Sequence, residues 1–435
     1  MIAASSPPQG EPVLVVGAGP AGATAARTLA LGGVPVRLLD RSAFPRNKPC
    51  GGGISLRATR RFPYLNDALP RIATHFVGRL HLEGPGGEST VIESDGPAAL
   101  MVRRVEFDAL LVSLAVEAGA ELVAGADVVR AADSGGIVSL STRDGRTFTS
   151  STVVAADGVH STVARRLGLN PGWPATAVAL DMMEETPRAA LRDVDPSTLW
   201  VAYGYSPVDG SPTRAAPEGY AYIFPKRDHV NVGVGYVLQY YRAHVDASPY
   251  DLQRRFVDRL RARGIVDGAS VRENFTPFLI PVGGPLRSPG RGGVLLAGDA
   301  GGFVNAFTAE GIYYAMVSGD LAARAIIESR RHGGDQAELA ARYASACGDE
   351  MGAELRDSVL IQQYLFRDNT RIRAVIEGAP RSMLTRMILD FVVGRMSYHR
   401  LRRRLFTRAP GLAARLAWEL LRKKTWPRAS AAAII

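Results

Sequence analysis

The sequence is poor in cysteine: Cys50 and Cys347 are the only two in 435 residues. That excludes a disulfide framework and predicts a reducing compartment. No stretch of about 18 consecutive apolar residues occurs, so no membrane-spanning helix is expected. The seven histidines show no metal-ligand spacing and no Cys/His cluster exists, so no metal site is predicted. There is no G-x-S-x-G elbow, which sets aside a serine hydrolase. Tandem repeats and low-complexity tracts are also missing. The first residues have neither a basic start nor an apolar stretch, so 1–10 reads as a flexible tail, not a signal peptide.

Acidic residues are almost missing from one segment. Between Arg395 and Arg428 stand eleven Lys/Arg against Glu419 alone, so this segment carries the whole net charge of +10. Arg402-Arg403-Arg404-Leu405-Phe406 and the stretch from Leu412 to Trp426 mix basic with large apolar residues. Such a helix suits an anionic membrane surface. A solvated basic face or an oligomer contact fits the same composition. No nucleic-acid module accompanies the patch, so no nucleic-acid partner is expected. The expected location is cytoplasmic, peripheral on the inner face of the cell membrane through 395–428.

What is present is globular. Apolar residues are 46% and charged residues 22%, and the length allows roughly two to four domains. Residues 12–16 form an apolar, β-branched run, followed by glycines, an Ala-rich helix to about Leu31, and a second strand from Val34 closed by Asp40. A loop fills 41–57, and a helix is expected from Met101 to Ala118. Antiparallel strands are expected at 121–129, 136–142 and 146–149, with Asp144-Gly145 as a turn. Apolar strands recur at 152–156 and 293–297, each running into an Asp/Gly pair. Residues 173–280 hold strand-like runs rich in aromatics, a separate sheet. A helix is expected from about Glu310, and from 336 the pattern is helical.

Gly17-Ala18-Gly19-Pro20-Ala21-Gly22 matches G-x-G-x-x-G between strand and helix, and Asp40 lies 23 residues after Gly17. Gly17 would make the tight turn, Gly19 would admit a pyrophosphate, and Gly22 would let helix and strand pack. The helix N-terminus, opening at Pro20 and Ala21, offers N–H groups to phosphate. Asp40 can accept from a ribose diol, with Arg41 beside it as a further cofactor contact. This motif alone does not choose between FAD and NAD.

Leu295-Leu296-Ala297-Gly298-Asp299-Ala300 resembles the second FAD motif of the hydroxylase-like flavoproteins. The resemblance implies that Gly298 and Asp299 meet a ribityl hydroxyl. It also implies that Gly311 and Ile312 open a helix toward the flavin pyrimidine, where its dipole would stabilise reduced flavin. Ala156-Asp157-Gly158-Val159-His160-Ser161, followed by Arg165, resembles the same group's D-G motif. Arg104 fits a position where that group places an arginine near the cofactor.

Phe44-Pro45-Arg46-Asn47-Lys48-Pro49-Cys50-Gly51-Gly52-Gly53 closely resembles the P-x-x-K-x-C-G-G-G signature of the geranylgeranyl reductase family of FAD-dependent oxidoreductases. Gly219 to Lys226 is similar to that family's Y-x-W-x-F-P segment, with Tyr222 where the family usually has Trp. The resemblance runs from about residue 12 to 330. It implies an α/β fold: a Rossmann-type FAD-binding domain (11–60, 100–170, 281–335) interleaved with a β-rich substrate domain (61–99, 171–280), and a C-terminal helical segment (336–435). It implies hydrogenation of C=C bonds in a polyprenyl chain of a quinone, diphosphate or lipid, with NADPH or a reduced ferredoxin as electron donor. An electron-donor protein is therefore a possible partner, beside the hydrophobic isoprenoid substrate. The rival expectations are a flavin monooxygenase acting on a hydrophobic substrate and a non-catalytic membrane-docked flavoprotein.

Within that resemblance, Gly51 and Gly52 would admit a flat ring, and Lys48 would neutralise a phosphate or tune the flavin. Cys50 and Tyr220 are the candidate proton donors, beside a bound water. An inert buried cysteine and a solvated lysine are the plainer alternatives. Tyr220, Tyr222 and Phe224 fall on one face of a strand. They suit an apolar substrate tunnel, and they also suit an ordinary core.

Overall fold

The computed structural model describes residues 10–206, 217–378, 383–392, 395–408 and 411. Residues 1–9 of the flexible tail expected at 1–10, and the basic stretch from Leu412 to Trp426, lie outside the described residues.

Two large sheets organise the molecule. The first has six strands in the order Gly290–Arg291, Val294–Leu296, Val153–Ala155, Val13–Val16, Val36–Asp40, Glu121–Ala124. All neighbours are parallel except the outermost pair at Gly290–Arg291. Its central strands are short, apolar and buried on both sides, as a sheet covered on both faces requires. Val13, Val15 and Leu38 pack under the helices Pro20–Leu31 and Ile312–His332. Leu14, Val16 and Leu39 face a smaller three-stranded antiparallel sheet built from Val128–Ser134, Ile137–Thr142 and Thr147–Ser150.

The second sheet has seven strands: Phe275–Pro281, Val178–Pro187, His229–Val237, Gly219–Pro225, Thr198–Tyr203, Arg79–Glu83 and Ser89–Glu93. One face carries Trp200, Ala202, Ala221, Ile223, Val232 and Val234, sealed by Phe256, Val257 and Leu260 of the helix Pro249–Ala262. The other face carries Met183, Val201, Tyr222 and, half-buried, Leu80, Leu82, Leu199, Tyr203, Tyr220 and Phe224. The alternation of side chains along each strand separates these two sets.

The expected helix from Met101 begins instead at Arg104 and ends at Glu117. Ala99–Val102 is a strand, paired with Gly53–Ser55 and Thr74–Val77. Leu100, Met101 and Val102 are buried there, so sheet pairing decides their conformation over helical spacing. The 41–57 segment is thus not all loop. The run 121–129 is two strands, broken at Gly125, whose φ is +73°.

The C-terminal part is helical: Gln336–Cys347, Ala353–Leu365, Asn369–Gly378, Met383–Val392 and Tyr398–Arg408. Arg57, in the short helix Arg57–Arg61, makes two bonds to Glu354 of Ala353–Leu365, at 2.7 and 3.0 Å, while the Tyr314 hydroxyl of Ile312–His332 donates to the same carboxylate. Part of the basic segment is paired: Arg402 with Asp357 at 3.2 Å, and Arg395 with Asp390 at 3.9 Å. Among the described residues no helix is long and apolar enough to cross a membrane.

Candidate active site

The strand Val13–Val16 ends at Gly17, whose φ is +93°. A Cβ there would lie 2.3 Å from the Ala156 carbonyl oxygen, so only glycine lets the two strand ends cross. A Cβ at Gly22 would lie 1.8 Å from the Gly17 oxygen. Gly19 caps the helix Pro20–Leu31 without a side-chain bond, and no acid stands in its first turn. The Ala18 N–H donates to Asp40 Oδ2 at 2.7 Å and the Ser42 N–H to Oδ1 at 2.8 Å. Asp40 therefore holds the glycine turn as well as facing it. Arg41 is exposed.

Arg46 is a contact that motif reading missed. Its Nη1 stands 3.3 Å from Asp108 Oδ2 and its Nε 3.8 Å from Asp40 Oδ1. Its Nη2 would lie 3.8 Å from a Cβ at Gly19, which places the guanidinium over the turn. Arg104 grips the same Asp108 at 2.6 and 2.8 Å. Burial opposes the Arg104 charge, but the Asp108 partnership outweighs it and raises its pKa.

The second motif meets the first directly. A Cβ at Gly298 would lie 3.1 Å from Ala21 Cβ, and one at Gly319 would lie 2.1 Å from the Ala21 oxygen. Gly311 caps the helix Ile312–His332, again without a side-chain bond or an acid in the first turn. Asp299 Oδ1 would lie 3.6 Å from a Cβ at Gly311, so its carboxylate sits beside that helix end. Burial raises the Asp299 pKa, while Lys48 and Arg104 pull it down. Ile312 is buried. Asp157 works locally: it accepts from the Ser161 hydroxyl at 2.5 Å and the Val163 N–H at 3.1 Å, capping a short helix. Gly158 turns the chain at φ +82°.

The Lys48–Gly53 loop lies against the seven-stranded sheet. Lys48 is half-buried, its Nζ 4.5 Å from the Phe278 ring centre. Burial lowers its pKa, Arg104 lowers it further, and Asp299, Cys50 and Asp108 oppose this. Cys50 is half-buried; its Sγ accepts from the Gly52 N–H at 3.4 Å. The glycines are gripped from behind. A Cβ at Gly51 would strike the Phe224 ring at 2.7 Å, and one at Gly52 the Val102 oxygen at 2.1 Å. The missing side chains thus make room for the protein's own atoms. Lys226 donates to the Gly51 carbonyl and Asn231 to that of Cys50, the latter at 3.2 Å. Burial pushes Lys226 down to about 8, with Glu185 at 3.9 Å opposing.

Tyr220, Tyr222 and Phe224 line up beside this loop, with ring centres 6.1 and 4.6 Å apart in sequence. The Tyr220 hydroxyl donates to the Thr308 carbonyl at 2.7 Å, in the turn before the helix Ile312–His332. Tyr203 stacks on Phe307 at 5.4 Å and meets Phe366 at 6.4 Å, extending the apolar lining toward the C-terminal helices. The Tyr222 hydroxyl donates to Asp181 Oδ2 at 3.0 Å. Asp181, buried in Val178–Pro187, was not legible as a site residue; burial pushes it up to about 7. One signal was available: it is the lone acid in the run Ala177–Met183.

Two helix N-termini without side-chain caps, a turn in which Gly17 and Gly22 admit no Cβ, and acids at both strand ends fit a flavin dinucleotide. Residues 11–350 match the model of the FAD binding domain family. The chloroplastic geranylgeranyl diphosphate reductase of Oryza sativa subsp. japonica is 30% identical over 413 residues, 89% of this chain and 83% of that protein. The menaquinone reductase of Mycobacterium tuberculosis is 32% identical over 351 residues, covering 78% and 80%. A geranylgeranyl bacteriochlorophyll reductase-like protein from Thermoplasma acidophilum superposes with TM-score 0.73 at 20% identity, over 93% of this chain and 98% of its own. The dinucleotide cradle and the Cys-Gly-Gly-Gly loop therefore belong to one lineage: this chain is a member of the geranylgeranyl reductase family of FAD-dependent oxidoreductases.

Proposed function

We propose that this protein hydrogenates C=C bonds in a polyprenyl chain carried by a quinone, a diphosphate or a lipid. The observation that carries the reading is the aromatic face of the seven-stranded sheet that meets the Cys50–Gly53 loop. There Leu80, Leu82, Leu199, Tyr203, Tyr220, Tyr222 and Phe224 form an apolar lining that begins at the Cys50–Gly53 loop. A long hydrocarbon needs such a lining, and few polar groups interrupt it. The relatives' names, a geranylgeranyl diphosphate reductase and a menaquinone reductase, support the same substrate class.

Gly17, Gly19, Gly22, Asp40 and Arg46 would hold the dinucleotide end of FAD. Lys48, Arg104, Asp299 and the N-terminus at Gly311–Ile312 would surround its ring end. Reduced FAD would supply hydride to one alkene carbon. The aromatic row orients the chain and keeps water away. NADPH or a reduced ferredoxin would be the electron donor. The basic segment 395–428 would dock on anionic lipid, so the protein would collect its substrate from the bilayer.

The test is a single anaerobic turnover read by mass spectrometry. FAD-loaded, chemically reduced protein is mixed separately with menaquinone and with geranylgeranyl diphosphate. A product heavier by two hydrogens is expected. An oxygen atom added only after air is admitted would make the protein a monooxygenase instead. Sedimentation with anionic vesicles, lost on truncation after residue 394, tests docking.

A further inference from the structure

We infer that the Tyr222 hydroxyl is the proton donor to the second alkene carbon, and that Asp181 is the reserve that reprotonates it. This rests on the reading just proposed. Its basis is the placement of the pair. Asp181 and Tyr222 lie on the lined face of the sheet, on different strands, joined at 3.0 Å across 41 residues of sequence. Gly233 clears the space for the phenol: a Cβ there would meet the Tyr222 hydroxyl at 2.5 Å. Tyr222 reaches the Cys50–Gly53 loop, its Cε2 3.7 Å from a Cβ position at Gly51. Asp181 Oδ1 has no hydrogen-bond partner among the described residues. A carboxylate left so would be costly, whereas a protonated carboxyl leaves less unpaired charge.

Tyr220 gives its hydroxyl to a backbone carbonyl, that of Thr308, whereas the Tyr222 hydroxyl meets a carboxyl that can carry a proton of its own and return it. Tyr222 also departs from the family pattern, which usually has Trp there. An indole N–H cannot pass a proton on, whereas a phenol can.

The step balances. Tyr222 gives the proton for one new C–H bond; bound reduced FAD would supply the hydride for the other, so that the π bond is consumed and FAD is left oxidised. Asp181 then gives its proton to the Tyr222 oxygen and recovers one from water. The groups facing Asp181 are Tyr222, Tyr220 and Lys48; the facing residues on its partner strands, Gly235 and Phe278, carry no charge. Burial holds the carboxyl at about 7, and burial with the nearby Asp181 charge keeps Tyr222 well above the usual phenol range. A phenolate is therefore unfavourable, and reprotonation must be prompt.

The test uses full-length protein and has two readouts. Infrared difference spectra of protein without substrate, titrated from about pH 5 to about pH 9, should show a protonated carboxyl that Asp181→Asn removes. Tyr222→Phe should raise its midpoint, because the lost hydrogen bond favoured the charged form. In anaerobic turnover, Tyr222→Phe and Asp181→Asn should each slow saturated-product formation roughly 100-fold. The double variant should be no slower than either single one, and the wild-type rate should fall above about pH 7. FAD content should not change. Wild-type product with variants within about twofold, or a carboxyl signal that survives Asp181→Asn, overturns the proton role alone. No saturated product from the wild type overturns the prenyl-reductase reading, and the proton role with it. Should Asp181→Asn fail to hold FAD, Tyr222→Phe, which removes only a hydroxyl, decides the matter.

Discussion

Arg46 lies between two carboxylates, Asp40 and Asp108, and above the turn at Gly19. Asp108 is already satisfied by both nitrogens of Arg104, so Arg46 is free to share its charge with an incoming phosphate. Its backbone neighbours could not do this, because the helix N-terminus supplies only partial charge. Arg46→Ala is expected to weaken FAD binding roughly tenfold, the loss of one charge-assisted hydrogen bond of about 1.5 kcal/mol. Arg46→Lys should recover little, because a point charge cannot span both carboxylates. Flavin fluorescence titrated with apoprotein measures both. Unchanged affinity in Arg46→Ala would place the arginine outside the cofactor's reach.

At the scale of elements, the site depends on how closely two helices cross. Pro20–Leu31 and Ile312–His332 come from opposite ends of the FAD-binding sequence, and they meet where Gly319 lies against the Ala21 carbonyl. Any side chain at 319 pushes the helices apart, and with them Gly298 and Asp299 from the first turn. Gly319→Val is expected to cost about 1–3 kcal/mol of stability through overpacking and to leave the purified protein short of FAD. Thermal melts and the flavin-to-protein absorbance ratio report the two effects. Gly348→Ala, whose new Cβ meets nothing beyond its own helix and whose backbone is already helical, should leave the FAD content unchanged and not lower the melting temperature. Elements of this kind were largely legible in the sequence, because strand, glycine turn and helix are local signals. Val13–Val16, Pro20–Leu31 and the end of the second strand at Asp40 follow from periodicity and spacing alone. The Ala99–Val102 strand did not, since its apolar run suits either period until its two partners are known. Arg46 above the first turn and Asp181 beside Tyr222 were hidden for a stronger reason. Their contacts join residues far apart in sequence, and no local pattern marks a sheet register.

Over the whole molecule, buried ionisable groups set how stability follows pH. Glu184 is fully buried, accepts from the Ser270 hydroxyl and the Val271 N–H, and has no partner for its other oxygen among the described residues. Burial pushes it up to about 7, above the 4.5 of a free glutamate. Between those values the folded chain holds a proton that the unfolded chain has released, so stability falls as pH rises through the window. Asp181 and Glu310, both also near 7 through burial, act in the same direction. Lys226 acts in the opposite sense at higher pH. Its folded value of about 8 lies below the free 10.5, so the unfolded chain binds more protons and stability rises with pH between them. Removing each group isolates its share. Relative to wild type, Glu184→Gln should gain about 1–3 kcal/mol between pH 4.5 and 7 and then level off. Lys226→Met should instead lose its relative advantage between pH 8 and 10.5, whatever its stability elsewhere. Urea unfolding of the FAD-free protein across these windows measures both differences. Parallel curves for wild type and Glu184→Gln would mean that the Glu184 carboxyl titrates in the folded chain as it does in water.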